Sequence, residues 1–159
     1  MSTIFMKVLA PPLVLCSIVL SSVFFYNAQI LEAFKPQTSS TQDDLYDMGV
    51  KKAMSGQYEE AITYYDKILE IDPDSGVILW LKGIALDSLG KSQEAINYYD
   101  KALDLDPNNA NSLLGKAIAL GNLGQSQEAI AYYDKVLAID PNNSIAFENK
   151  ALLENQTNN

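Results

Sequence analysis

Three aspartates, Asp66, Asp100 and Asp134, stand at equal steps along the chain, each behind two tyrosines and ahead of a lysine: Tyr64-Tyr65-Asp66-Lys67, Tyr98-Tyr99-Asp100-Lys101 and Tyr132-Tyr133-Asp134-Lys135. A carboxylate beside an ammonium can move a proton, so one such pair alone would be an acid–base candidate. Three identical pairs at equal spacing fit a solvated ion-pair face better, because a catalytic site is ordinarily unique within a chain. The remaining inventory agrees. All basic residues are lysines; with no Arg and no His, the chain lacks the bidentate fork for phosphates and the commonest general base and metal ligand. Gly-rich phosphate loops, nucleophile elbows and metal-ligand clusters are also missing from the sequence. The sequence therefore predicts no enzyme, no cofactor, no metal site and no small-molecule substrate.

Charge narrows the partners. The formal net charge is −9, and after Gln42 there are nine lysines against nineteen acids. Nucleic-acid binding needs clustered cations that displace counterions, so no nucleic-acid partner is expected. An acidic helical surface serves solvation first.

The elements that must hold the repeated residues follow from punctuation. Asp72-Pro73, Asp106-Pro107 and Asp140-Pro141 recur at a constant interval without insertion. A period of about 34 residues is the mark of a solenoid whose units cover one another's apolar faces. Within each unit, periodicity predicts a first helix (42–55, 77–89, 110–123) and a second (58–71, 92–105, 126–139). Gly56, Gly90 and Gly124 supply the left-handed cap between them. Proline disfavours helical geometry at the residue before it and ends each second helix. Asp74-Ser75, Asn108-Asn109 and Asn142-Asn143 then offer caps for the next helix. Ala61, Ala95 and Ala129 allow close helix crossing, and Tyr65, Tyr99 and Tyr133, four residues on, wedge between helices as core aromatics. Ile62, Ile96 and Ile130 with Leu69, Leu103 and Leu137 extend that stripe. A last helix, 144–156, places Phe147 and Ala151 where a fourth unit would have core residues and reads as a capping helix; 157–159 reads as a disordered tail.

Residues 8–26 carry no charge and, as a helix, would reach roughly 28 Å, near the thickness of a bilayer's hydrocarbon core. A single-pass membrane anchor is the expected reading, with residues 1–7 as its flank, 27–41 as a linker and the repeats on the extracytoplasmic side. Two alternatives compete: a cleaved secretory signal, and a lipoprotein acylated at Cys16, either of which would give a secreted or lipid-linked binding protein.

From Gln42 onward the chain resembles the tetratricopeptide repeat family. The pattern is carried in the first unit by Leu45, Met48-Gly49, Lys52, Ala61, Tyr65, Ile68 and Pro73. The second unit has Leu79, Lys82-Gly83, Leu86, Ala95, Tyr99, Ala102 and Pro107. In the third stand Leu113, Lys116-Ala117, Leu120, Ala129, Tyr133, Val136 and Pro141. Leu for the opening aromatic, Lys before the glycine and Ala117 for glycine depart from it.

The resemblance implies an all-α, right-handed solenoid with units at 42–75, 76–109 and 110–143. It also implies a concave groove, lined by first helices, that takes a peptide or partner helix from a protein. The residues placed there are Tyr46, Val50, Trp80, Ile84, Asp87, Leu114, Ile118, Asn122 and Asn149. A subset of the family grips C-terminal carboxylates with cationic and amide side chains on successive first helices. The matching positions here, Tyr46, Val50, Leu81, Asn111 and Gly115, carry no positive charge, so that clamp is not expected. Trp80, the single tryptophan, is either the anchor of such a groove or a packing residue against the neighbouring unit.

Overall fold

Breakers and caps divide the chain into helical segments much as the sequence predicts. In a computed structural model, which describes residues 39–157, seven α-helices follow one another with no strand among the described residues. They are α1 (Ser39–Met54), α2 (Tyr58–Ile71), α3 (Gly76–Ser88), α4 (Ser92–Leu105), α5 (Ala110–Asn122), α6 (Ser126–Ile139) and α7 (Ser144–Thr157). Residues from Ser40 onward form one compact unit.

Two boundaries move. The first helix begins at Ser39 rather than Gln42, so the end of the expected linker is helical. Nothing after Pro36 breaks a helix, and a helix once nucleated extends through Ser and Thr at small cost. At the other end Thr157 still belongs to α7, so the expected tail loses its first residue. The flank 1–7, the span 8–26, residues 27–38 and residues 158–159 lie outside the described residues. No helix among the described residues is long and apolar enough to cross a membrane.

The turns have the expected chemistry. Gly56, Gly90 and Gly124 hold φ of 74°, 75° and 76°, a region that glycine enters without strain. The amide that follows each of these glycines then reaches back to a carbonyl of the first helix's last turn, as Lys91 N–H does to Leu86 O at 2.9 Å. At the unit boundaries, Asp106 and Asp140 accept the amides of Asn108 and Asn142 at 3.1 Å. Asn109 and Asn143 cap α5 and α7, accepting Ser112 N–H at 2.9 Å and Ala146 N–H at 3.0 Å. Ser75 stands at the equivalent place before α3, but its side chain makes no cap hydrogen bond.

The core is a file of alanines and tyrosines. Ala61, Ala95, Ala129, Tyr65, Tyr99 and Tyr133 are all buried. A Cβ added at Gly49 would stand 2.6 Å from the Tyr65 ring, and one at Gly83 would stand 2.5 Å from that of Tyr99. Glycine is therefore what lets the first helix of these units lie against its tyrosine. Ile68, Ala102 and Val136 form the deep part of the second-helix stripe; Leu69, Leu103 and Leu137 pack at its margin.

Phe147 corrects an expectation. It shares register with Leu79 and Leu113, which are 5% and 3% exposed, yet it is 66% exposed. The earlier leucines belong to first helices that a second helix follows, and no described helix follows α7. Ala146, in the register of the buried Ile78 and Ser112, stays buried in α7.

The repeated aspartates also pair differently from expectation. Each bonds a lysine in the first helix of the next unit. Lys82 donates to Asp66, Lys116 to Asp100 at 2.5 Å and Lys150 to Asp134 at 2.6 Å. Lys82 is buried, so this is no free solvated face. Its ammonium also stands 4.3 Å from the centroid of the Tyr98 ring, as that of Lys116 does at 4.5 Å from Tyr132. One lysine thus ties the acid of the preceding unit to the aromatic of its own. Burial alone would lower the pKa of Lys82 and Lys116; the aspartate and tyrosine partners outweigh it and hold both above the ordinary lysine value. The lysines next in sequence, Lys67, Lys101 and Lys135, cover the first tyrosine of each pair at 5.5, 5.0 and 4.2 Å.

Candidate functional site

The first helices carry side chains that the core covers only in part, and these line two adjoining concavities. One, of about 240 Å³, has Trp80, Ile84 and Asp87 of α3 on one side and Asn111, Leu114 and Ile118 of α5 on the other, over Tyr99 of α4. The second, of about 250 Å³, runs from Ile118, Gly121 and Asn122 of α5 to Asn149, Leu152 and Gln156 of α7, over Tyr133 of α6. Ile118 borders both, so they form one strip along the first helices.

Seven of the nine residues placed in a groove by the sequence meet here. Trp80, Ile84, Asp87, Leu114 and Ile118 line the first concavity; Asn122 and Asn149 join Ile118 in the second. Tyr46 and Val50 sit on α1 and line neither; Tyr46 is exposed and Val50 partly buried.

Asp87 is the one charged residue lining either concavity, and it is held. Ser92 Oγ donates to its Oδ1 at 2.5 Å, and Asn122 Nδ2, from the next unit, donates to Oδ1 at 3.2 Å and Oδ2 at 3.1 Å. The carboxylate is thus fixed in place while remaining partly exposed.

Position 115 decides the depth of the first concavity. Leu81, Gly115 and Asn149 occupy the same register in successive units, each in the first helix that follows a buried tyrosine. Leu81 packs against the cluster containing Tyr65, whose hydroxyl has no hydrogen-bond partner among the described residues. Asn149 lines the second concavity together with Tyr133, and its amide offsets part of the rise that burial gives the Tyr133 hydroxyl. Gly115 offers nothing; a Cβ there would stand 2.7 Å from the Tyr99 ring and 3.1 Å from its hydroxyl. Lacking a side chain at 115, the groove reaches down to Tyr99. Burial, with the Asp87 charge adding to it, pushes the Tyr99 hydroxyl well above its ordinary pKa, so it stays a neutral donor and acceptor.

Sequence reasoning gave Tyr99 a purely structural place and named Gly115 only as a clamp position without charge. The change from Leu81 to Gly115 to Asn149 at fixed spacing was the available signal. Ser88, Leu152 and Leu153 were also missed as lining residues. Among the described residues, no group of His, Cys, Asp and Glu is gathered as a metal site.

No curated protein sequence matches the chain. Solved structures do. The first TPR of Spaghetti (RPAP3), determined bound to the HSP90 peptide SRMEEVD, is 25% identical with a TM-score of 0.73, the match covering 77% of this chain and 97% of that one. The first TPR domain of human RPAP3 is 26% identical with a TM-score of 0.69, covering 72% and 90%. The crystal structure of MamA, at 21% identity and a TM-score of 0.70 over 82% and 74%, shares the fold. Two family models, each described as tetratricopeptide repeat, match residues 44–108 and 80–144 and so together span 44–144. With helical hairpins of constant length, the alanine and tyrosine core and these matches, the chain belongs to the tetratricopeptide repeat family.

Proposed function

We propose that the chain is a non-catalytic interaction module that takes a peptide or partner helix in the strip between Trp80 and Asn149 and is tethered to a membrane through residues 8–26. The observation that carries the binding reading is the concavity walled by Trp80, Ile84, Leu114 and Ile118, apolar side chains that pack against the core yet stay partly exposed. A groove of that kind gains affinity from a few buried anchors. Spaghetti's first TPR was solved with an acidic peptide; the five clamp positions, Tyr46, Val50, Leu81, Asn111 and Gly115, hold no cation here, which speaks against acidic tails as ligands. The tether rests on the uncharged stretch 8–26; with Lys7 before it and Lys35 offset by Glu32 after it, the repeats are proposed for the extracytoplasmic side.

Trp80→Ala tests the groove. Helical content by circular dichroism should be kept while partner affinity falls at least tenfold, as for an anchor worth about 2 kcal/mol. A variant that unfolds instead assigns Trp80 to packing between units. An alkaline carbonate wash tests the tether: the product should stay with membranes, and a soluble product starting after Ala28 would replace the anchor with a secreted form.

A further inference from the structure

The groove reading leaves the ligand's chemistry open, and three features of the first concavity narrow it. Its walls are apolar, so they favour burial of a bulky side chain, and a volume of about 240 Å³ has room for one. Its depth comes from Gly115, which leaves the Tyr99 ring and hydroxyl as the floor. Its charge is a single carboxylate, Asp87, held by Ser92 and Asn122 rather than by a cation. No lysine lines either concavity.

A carboxylate with neutral donors keeps its full negative charge and has no opposing charge to lose when a cation arrives. Trp80 lines the same concavity, and an indole face attracts cations as well. An incoming acid would meet Asp87 without compensation, at a cost like that of any like-charge juxtaposition. The net charge of −9 repels acidic segments at longer range and draws basic ones in.

We infer that the strip selects an apolar, basic peptide segment, with one bulky side chain seated between Trp80 and Leu114 over Tyr99 and a Lys or Arg directed at Asp87. This rests on the groove reading and specifies it. Asn111, at the rim of the same concavity, supplies a neutral donor and acceptor for the peptide backbone.

The test uses the full chain held in lipid nanodiscs and a phage library of random dodecapeptides, with empty nanodiscs as control. Enriched sequences should place Leu, Phe, Met or Trp within a few residues of Lys or Arg. Asp87→Asn keeps the acceptor for Ser92 and should lose the basic preference while keeping the apolar one, binding the basic peptides about tenfold less tightly. Replacing the peptide's Lys by norleucine should weaken binding to the unaltered protein by the same factor and have no further effect on Asp87→Asn, so the pairing is readable from the peptide side even if the variant folds poorly. Acid-rich winners, or basic winners bound equally by Asp87→Asn and insensitive to norleucine, overturn this inference and leave the groove reading standing. No enrichment over empty nanodiscs overturns the groove reading itself.

Discussion

The two long sides of the stack follow different rules. Where units join, the same residues return at each step: Asp66, Asp100 and Asp134 against Lys82, Lys116 and Lys150. Along the groove the register is kept but the residues are not. Trp80 and Leu114, which line it, share a register with Tyr46 and Glu148, which do not, and Gly115 and Asn149 share one with Leu81. Stacking demands the same geometry at each joint, so one solution is copied. Recognition of a non-repeating ligand demands different side chains at successive steps, so the groove positions diverge. The repeated residues are thus structural, and the singular ones are those on which the proposed groove reading rests.

The largest test removes a residue that serves both sides. Tyr99→Ala takes away a buried ring wedged between Gly83 and Gly115, at about 3–5 kcal/mol, comparable to the whole margin of a small domain. The far-ultraviolet dichroism of the variant should show marked loss of helix at room temperature. If helix is retained and only ligand binding is lost, Tyr99 belongs with the groove rather than the core.

Alkaline pH should loosen the joints next. Tyr65, Tyr99 and Tyr133 are raised from 10.0 chiefly by burial, and Lys82 and Lys116 lie above 10.5 through their partners despite burial. As pH rises through these ordinary values the unfolded chain gives up protons that the folded chain keeps, so the stability they contribute is full below about pH 10 and falls above it. Urea midpoints should drop between about pH 8 and about pH 11; equal midpoints would mean that these groups feel no folded environment.

Within the joints, exposure grades the effect. The Lys82 side chain is 10% exposed and that of Lys150 is 26%. Lys82→Met, which puts at this joint the residue that Met48 supplies in the first unit, should cost about 1 kcal/mol, between the values for surface and buried pairs. Lys150→Met should shift the urea midpoint less. The reverse order would show that the joints are not graded by solvent.

The smallest effect is a gain. Ser112 shares register with Ile78 and Ala146, and its buried hydroxyl has no partner among the described residues. Ser112→Ala should raise stability by about 0.5–1 kcal/mol, since it removes an unsatisfied group without opening space. A loss would reveal a partner for that hydroxyl.

Much of the fold was legible because it is encoded locally. Glycine at 56, 90 and 124 and Asp-Pro at the unit ends fix helix limits through dihedral preferences that need no tertiary context. The joints were not legible in that way. Asp66 has Lys67 beside it in sequence, and only stacking brings Lys82 closer. Phe147 was misjudged because register tells where a side chain stands in its unit and not whether a helix follows to cover it. In the site, the apolar wall could be read from position alone. The bond between Asp87 and Asn122 spans two units, and the place of Tyr99 at the floor of the concavity depends on a side chain missing from the helix that follows it.

The joint between units has a consequence for how such a molecule can lengthen. Its acid lies late in one hairpin and its base early in the next, so any stretch of one full period duplicated in frame carries one complete fastener with it. The array can therefore gain or lose hairpins without inventing a new attachment, and novelty is left to the few positions whose residues do not repeat.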